Sequence, residues 1–340
     1  MYGGRILVAI GAFLAVALAH NVSIVTDAPL NREVLNLLVW VLVFSVIIFA
    51  GVTGALLYTI VRFRRRPGDD ALPPQFRENA RVEFSLTLIP LIIVLVLFVL
   101  TAQALVKINR PIAGALGVEV TARQFWWDFV LTEEGLRLSN ELVIPVGRPV
   151  EVKLTSADVI HSFWIPSLAG KTDAIPGQTT YNRFMATKPG NYYGYCAELC
   201  GASHANMRFR VIALEPTEYQ RFVDAYRAYQ APEPKTERAR RGQEVFQARC
   251  AACHAVKGTA ATGVLGPDLS IFGNRLTLAS GVVENTRENL IRWIKDPTSM
   301  KPAAQMPAFP DLSDADLEAL ADYLESLKLE GFDFRTLPRF

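Results

Sequence analysis

The stretch YCAELCGASHANM, residues 195–207, decides the fold of this 340-residue chain. It holds two thiols, an imidazole and a thioether, the side chains of Cys196, Cys200, His204 and Met207. Soft sulfur ligands together with imidazole select copper over hard cations, and a mononuclear blue-copper site uses a single Cys. Two bridging thiolates can instead hold a pair of copper ions that share one electron. The segment therefore predicts a binuclear copper site.

Short β-rich stretches surround this segment over residues 116–216, for example VEVTARQFWWDFVL and NYYGYC, with Gly and Pro turns between them. Such a pattern predicts a β-sandwich or a small barrel. His161, at the end of one predicted strand, supplies the second imidazole. A zinc site or a disulfide is the alternative for the two cysteines, but neither explains Met207.

Two long apolar runs precede the β-rich region. Residues 35–61 and 84–106 carry no charge, and each run is long enough to cross a bilayer. The loop between them is rich in arginine, so the positive-inside rule places this loop in the cytoplasm and the β-rich region outside. Its arginines and those that flank it are Arg62, Arg64, Arg65, Arg66, Arg77 and Arg81. We therefore predict a two-helix transmembrane hairpin over residues 30–108.

Another apolar run, residues 6–19, follows Arg5 and ends in the small-residue pattern ALA. This arrangement is typical of a secretory signal peptide. A helix of that length spans about 21 Å, less than the ~30 Å hydrocarbon core of a bilayer. Residues 1–19 are predicted to be a signal peptide, and a retained apolar segment is the alternative.

A second cysteine pair lies beyond a polar, proline-bearing linker at residues 229–237. Cys250-Ala-Ala-Cys253-His254 is the attachment motif of a c-type haem, in which the thiols bind the porphyrin and the imidazole binds the iron. Helical periodicity surrounds the motif. The predicted helices cover residues 238–250, 287–295 and 313–328, the last with Ser313 as N-cap. Residues 238–330 are thus predicted to form a small all-α haem domain.

Met306 is the candidate sixth haem ligand and Met300 is its competitor. Met306 lies shortly before the last predicted helix and is followed by proline, which resembles the ligand position of cytochrome c domains. Methionine ligation raises the reduction potential of a haem. The segment that contains Pro267 resembles the one whose proline carbonyl accepts the N–H of the proximal histidine and so orients its ring.

Residues 30–215 resemble subunit II of cytochrome c oxidase, and with the haem domain the chain is similar to the cytochrome-c-fused, caa-type subunits. The resemblance implies a cupredoxin-like CuA domain over residues 116–216. The implied copper ligands are the bridging Cys196 and Cys200, the terminal His161 and His204, the axial Met207 and the backbone carbonyl of Glu198. The Glu198 carboxylate is further implied to contact a magnesium ion at the interface with subunit I.

The segment Gln124-Phe125-Trp126-Trp127 corresponds to the family motif Gln-Trp-Tyr-Trp, whose first tryptophan receives electrons from an external cytochrome c. Because Phe125 stands at that position, we expect electrons to arrive from the haem of the same chain. All three aromatic residues are candidates for the electron path. Packing of the sandwich is the alternative role for Trp127.

Glu83, with Thr87 and Pro90, matches the family pattern Glu-x-x-x-Thr-x-x-Pro. In that family the glutamate lies at the cytoplasmic mouth of a proton pathway. An ionisable group at a membrane boundary indicates function, and an ordinary solvated carboxylate is the alternative. Glu83 is thus a candidate proton-pathway residue.

The amino-acid composition limits the classes of partner that we expect. A net charge of +2 shows none of the basic excess of nucleic-acid-binding proteins, so no nucleic acid is expected. The hydrophobic fraction of 51% exceeds that of most soluble proteins and fits a membrane protein. We expect the chain in a bacterial plasma membrane, with the copper and haem domains on the outer face.

The predicted function is electron transfer in a respiratory cytochrome c oxidase, from the haem to CuA and on to the catalytic subunit I. Oxygen reduction and proton pumping occur there, so this chain is expected to carry no catalytic residue. The expected partners are subunit I, other oxidase subunits, membrane lipid, and cytochrome c or another redox donor. The alternatives are an anchor subunit of a CuA-containing nitric oxide reductase and a copper-delivery protein, which would need no haem.

Overall fold

The computed structural model describes residues 29–65, 67–68, 75 and 77–340. The predicted signal peptide at residues 1–19 and Arg66 of the arginine cluster lie outside the described residues. The chain divides into two compact units, of which Leu30–Arg110 is one and Pro111–Phe340 belongs to the other. This multidomain architecture, with two apolar helices, a β-sandwich and a helical domain, confirms the predicted fold class.

The smaller unit is a pair of helices, α1 at Pro29–Arg62 and α2 at Ala80–Asn109. Both helices are long and apolar enough to cross a membrane. The side chains in the most apolar stretch of each helix are not buried against other parts of the chain that the structure describes. An exposed apolar surface of this size needs lipid or another protein around it. Lys107 and Glu33 form an ion pair between the helices at 3.1 Å.

The cupredoxin-like domain is a sandwich of two five-stranded sheets, ordered β3-β2-β1-β5-β8 and β4-β10-β9-β6-β7. The first sheet comprises β1 at Leu116–Arg123, β2 at Trp126–Leu131, β3 at Leu136–Ser139, β5 at Val150–Ser156 and β8 at Thr180–Phe184. The second comprises β4 at Glu141–Pro145, β6 at His161–Trp164, β7 at Thr172–Ala174, β9 at Gly190–Cys196 and β10 at Arg208–Leu214.

Aromatic side chains fill the space between the two sheets. Phe163 of β6 stacks on Phe209 of β10 with ring centroids 4.5 Å apart, and Trp127 of β2 packs against both. All three rings are fully buried. Inward residues alternate with exposed ones along β1, which is the pattern of a strand with one face in the core.

Helix α3, Pro216–Ala228, follows the last strand and buries Tyr219, Phe222 and Tyr226 against the sandwich. The segment predicted as a linker, residues 229–237, then crosses to the haem domain. Tyr229 within it is buried. The amide of Ala231 donates a hydrogen bond to the carbonyl of Lys257 at 3.2 Å.

The haem domain contains helices α4 at Glu237–Arg249, α5 at Arg287–Lys295 and α6 at Asp314–Ser326. These agree with the predicted helices, and Ser313 caps α6 as expected. Two short strands, β11 at Thr277–Leu278 and β12 at Val283–Glu284, form a hairpin that the sequence pattern did not indicate. A side chain at Gly242 of α4 would overlap the carbonyl of Ala319 in α6, so this glycine permits the close helix crossing.

The haem domain packs directly on the sandwich. Buried Glu141 of β4 accepts hydrogen bonds from the amides of Leu276 and Thr277 at 3.0 and 2.9 Å. Downstream of the haem domain, the chain returns to β9, where the amide of Asn191 donates to the carbonyl of Pro338 at 2.7 Å. Both flanks of the haem domain are therefore attached to the copper domain.

Candidate metal centres

Adjacent strands bring the copper candidates together. His161 begins β6 and Cys196 ends β9, and these strands pair with Phe163 opposite Cys196. The loop of residues 197–207 follows β9. The Sγ atoms of Cys196 and Cys200 lie 3.7 Å apart. That separation is too long for a disulfide, whose sulfurs are about 2.05 Å apart, and suits two thiolates that share metal ions.

Further donor atoms lie around this thiol pair. The Nδ1 atom of His161 is 3.8 Å from the Cys196 sulfur, and Nδ1 of His204 is 3.8 Å from the Cys200 sulfur. The Met207 thioether is 3.9 Å from the Cys200 sulfur, and the Glu198 carbonyl is 3.3 Å from the Cys196 sulfur. The structure thus brings together every atom that the sequence assigned to copper. Two thiolates with one imidazole each fit a binuclear copper centre.

Asp158 orients the His161 ring and was missed by the sequence analysis. Its Oδ1 lies 2.7 Å from Nε2 of His161, which leaves Nδ1 facing the thiols, as a carboxylate behind a metal-binding histidine does. Burial acts to raise the pKa of Asp158, but hydrogen bonds from His161 and from the Gln124 amide lower it. The only sequence signal was a carboxylate three residues before the histidine.

The two thiols differ in how readily they lose a proton, and Cys196 loses its proton first. A hydrogen bond from Cys200 holds the pKa of the Cys196 thiol well below its usual value, while burial opposes this and His161 adds to it. The pKa of Cys200 is raised, because it would lose its proton beside the Cys196 thiolate. A metal ion that binds both sulfurs therefore displaces a proton.

The haem-attachment motif follows α4 directly. Cys250 caps α4, and the amides of Cys253 and His254 both donate to its carbonyl at 3.0 Å. Nδ1 of His254 lies 2.8 Å from the Pro267 carbonyl, the partner that the sequence predicted, and this leaves Nε2 free. Burial lowers the pKa of His254, which favours the neutral form of the ring that iron ligation requires.

A cavity opens beside this motif. Cys250, Cys253, His254 and Met306 face it, whereas Met300 does not line it. The rest of its wall is mainly apolar: Phe246, Leu269, Phe272, Leu278, Leu290, Ile294, Leu320 and Leu324. A Cβ atom at Gly266 would lie 2.6 Å from the His254 ring, so only glycine permits this close approach. Thiols, imidazole and thioether around an apolar cavity fit a covalently bound haem.

The aromatic motif separates the two candidate centres. Phe125 and Trp126 line the haem cavity. Phe125 is only 6% exposed, and its carbonyl accepts hydrogen bonds from Ser280 at 2.9 Å and from Lys301 at 2.5 Å in the haem domain. Trp127 lies inside the sandwich with its ring centroid 6.1 Å from that of His161.

Two candidates have ordinary local contacts. Glu83 accepts a hydrogen bond from the Asn79 amide at 3.1 Å and so caps the start of α2. The Glu198 side chain is exposed beside the copper loop, although its carbonyl points toward Cys196. Neither contact tests the proton or magnesium roles.

A cupredoxin-like sandwich with two paired thiols, a haem-attachment domain and a pair of apolar helices define an electron-transfer subunit of a respiratory oxidase. Family models match the transmembrane domain of cytochrome c oxidase subunit II over residues 22–103 and its periplasmic domain over residues 118–214. A cytochrome c model matches residues 239–328. The chain belongs to the cytochrome c oxidase subunit II family.

Two relatives are similar to this chain over most of their length. Cytochrome c oxidase subunit 2 of Alkalihalophilus pseudofirmus is 41% identical over 306 residues, covering 88% of this chain and 87% of that protein. The Bacillus subtilis protein of the same name is 36% identical over 297 residues, covering 81% and 82%. The solved periplasmic domain of subunit II of the Bradyrhizobium japonicum oxidase is 31% identical and covers 34% of this chain and 96% of its own, with a TM-score of 0.33. These matches give no support to the nitric oxide reductase alternative.

Proposed function

We propose that this chain accepts electrons at a c-type haem and passes them through a CuA centre to the catalytic subunit I of a cytochrome c oxidase. When bound, the haem and the binuclear copper supply one-electron carriers. The chain's own residues hold both groups at fixed positions and keep water away from them. Oxygen reduction, coupled to proton pumping, belongs to subunit I.

One observation carries this proposal: residues 124–125 touch both candidate centres. Gln124 donates from its side chain to the Cys200 carbonyl at 2.5 Å and from its amide to Asp158 at 2.6 Å. The next residue, Phe125, lines the haem cavity and bonds to the haem domain through its carbonyl. Two adjacent residues thus connect the copper ligand loop with the haem cavity, so transfer between them needs no movement of either domain.

The ligand roles that we propose are based on the positions of the donor atoms. The copper ligands are His161, Cys196, the Glu198 carbonyl, Cys200, His204 and Met207. Cys250 and Cys253 would attach the haem, His254 and Met306 would bind its iron, and the Pro267 carbonyl would orient the His254 ring. Because Phe125 is buried against the haem domain, an external cytochrome c or other redox donor delivers its electrons to the haem and not through this aromatic residue.

The remaining proposals concern the complex as a whole. Helices α1 and α2 lie in lipid of the bacterial plasma membrane against subunit I and other oxidase subunits, with the metal domains on the outer face. The exposed carboxylate of Glu198 contacts a magnesium ion at the interface with subunit I. Glu83, at the start of α2, lies at the mouth of a proton pathway.

Oxygen uptake by the purified membrane complex tests the function. We expect uptake with reduced cytochrome c or a small-molecule reductant, its inhibition by cyanide, and its loss in Cys196→Ser. Thr180→Ser is the matched control. It removes one methyl group at a position outside both centres, so the variant is expected to keep full activity. Nitric oxide turnover without oxygen uptake would move the chain to the reductases and overturn the proposal.

A further inference from the structure

The charges around the haem cavity are all of one sign. Arg249, Arg275 and Lys301 line it. Among the residues that the structure describes, no aspartate or glutamate does so. A cavity with cations and no carboxylate in its wall is suited to a ligand that carries negative charge.

Two of these cations already have acidic neighbours. Arg249 forms two hydrogen bonds with Asp311, at 2.8 and 3.0 Å. Arg275 donates to the Asp268 carbonyl and is attracted by the carboxylates of Glu141 and Asp268. Both charges are therefore balanced within the protein.

Lys301 is different. Its side chain is 3% exposed, and its ammonium group donates to two backbone carbonyls, those of Phe125 at 2.5 Å and Ala279 at 3.0 Å. In the described part of the chain it forms no ion pair. An ammonium group has three donors, so one N–H remains available, and Lys301 faces the cavity.

A buried ammonium without a counter-charge is unfavourable. Burial lowers the pKa of Lys301 to about 7, although the negative charge of a Cys200 thiolate acts in the opposite direction. A neighbouring anion reverses this effect, because it stabilises the charged form. An anion that enters the cavity is therefore expected to stabilise the charged form of the Lys301 amine.

A c-type haem brings suitable anions, because its porphyrin retains two carboxylate side chains after the vinyl groups have reacted. We propose that the ammonium group of Lys301 binds a haem carboxylate and thereby directs that edge of the haem toward the Phe125 wall of the copper domain. This inference rests on the haem binding proposed above. Lys301 is then a positioning residue that contacts both the haem and the residue next to Gln124.

The proposal has an electrostatic consequence. Reduction of a haem lowers its charge by one unit, so a nearby cation favours the reduced state and raises the midpoint potential. Replacement of Lys301 by an uncharged residue of similar length removes this effect. Replacement by arginine retains the charge and can pair with a carboxylate through two hydrogen bonds.

We would purify the intact oxidase with Lys301→Met, Lys301→Arg or Lys257→Met and titrate the haem spectroscopically at a pH well above the ordinary carboxyl pKa. Lys257 is the matched control: its ammonium also donates to two backbone carbonyls, those of Tyr226 and Arg227 at 2.6 and 2.8 Å, but it does not line the cavity. We expect Lys301→Met to lower the reduced-to-oxidised ratio at fixed potential about tenfold, which is about 59 mV for a one-electron couple. Lys301→Arg and Lys257→Met should leave it within about twofold.

Equal potentials in Lys301→Met and wild type would overturn the proposal, as would an equal shift in Lys257→Met. If Lys301→Met fails to assemble, a structure of the wild-type complex decides: a haem carboxylate oxygen within about 4 Å of the Lys301 ammonium supports the inference, and a longer distance refutes it. Absence of covalent haem from the wild-type spectrum would instead refute the proposed function.

Discussion

Ser203 of the copper domain donates a hydrogen bond from its hydroxyl to the carbonyl oxygen of Pro302 in the haem domain, at 2.5 Å. Ser203 is completely buried and directly precedes His204. Pro302 lies next to Lys301 and shortly before Met306. This hydrogen bond thus connects the copper ligand loop with the haem-ligand segment.

Ser203→Ala should weaken this connection. The substitution leaves the Pro302 carbonyl without its donor, and loss of a buried hydrogen bond costs about 1–3 kcal/mol. We expect the metal domains to unfold with a midpoint at a lower denaturant concentration, while the copper and haem contents of the folded protein stay unchanged. Ser299→Ala, at an exposed serine bonded within its own domain, should change stability by less than about 0.5 kcal/mol. Equal effects of both variants would contradict the assigned role of Ser203.

Met306→Leu should lower the midpoint potential of the haem, because a thioether ligand favours the reduced iron. Met300→Leu is the matched control: Met300 is buried but does not line the haem cavity. Its replacement should leave the potential unchanged and cost less than about 1.5 kcal/mol in stability. A spectroscopic redox titration measures both variants. A drop in potential for Met300→Leu alone would assign the sixth ligand to Met300.

Gly242→Ala should destabilise the haem domain, because its Cβ would overlap the Ala319 carbonyl in the facing helix. Overpacking of this kind costs about 1–3 kcal/mol. At Gly117, a Cβ would meet nothing within 4 Å, so Gly117→Ala should be neutral or slightly stabilising. Thermal unfolding followed by the haem absorbance and by far-ultraviolet circular dichroism measures the difference. Equal melting temperatures for the two variants would show that α4 and α6 can separate without loss of stability.

Asp322 should make the haem domain sensitive to acid. Burial acts to raise the pKa of Asp322, but hydrogen bonds from Arg238 and Arg287 outweigh it and lower the pKa below the ordinary value of 3.8. A carboxyl whose pKa is lower in the folded protein stabilises the fold above its unfolded pKa, and this stability is lost as the pH falls through the folded pKa. Asp322→Asn removes that contribution.

The measurement is the unfolding free energy of the complex between neutral pH and about pH 3, which spans the ordinary aspartate pKa. We expect Asp322→Asn to be less stable at neutral pH and to show a shallower decline toward acid than wild type. Asp314→Asn is the control, since Asp314 is largely exposed and forms a surface ion pair with Lys295 at 3.3 Å. An identical acid decline in wild type and Asp322→Asn would exclude this ion-pair cluster as the origin of the sensitivity.

Local patterns in the sequence were sufficient to predict the architecture. Hydropathy identified the two apolar helices, since a membrane span needs a continuous apolar run. Period-two alternation and turn residues identified the sandwich, and helical periodicity identified α4, α5 and α6. The candidate metal ligands could be named because the copper donors cluster within residues 195–207, apart from His161, and the haem-attachment motif is contiguous. Each of these signals depends on residues close to one another in the chain.

Only the tertiary structure decided how the two candidate centres are connected. The β11–β12 hairpin and the cavity position of Lys301 left no recognisable pattern in the sequence, and the spacing of Asp158 from His161 was too weak a signal to predict their contact. Lys301 meets Phe125 across 176 residues of chain, and Ser203 meets Pro302 across 99. A composition or spacing rule cannot encode such pairs, because they exist only after both domains have folded and buried a common surface. The sequence therefore determined which groups each domain can hold, and long-range packing determined that the haem cavity and the copper loop share one wall.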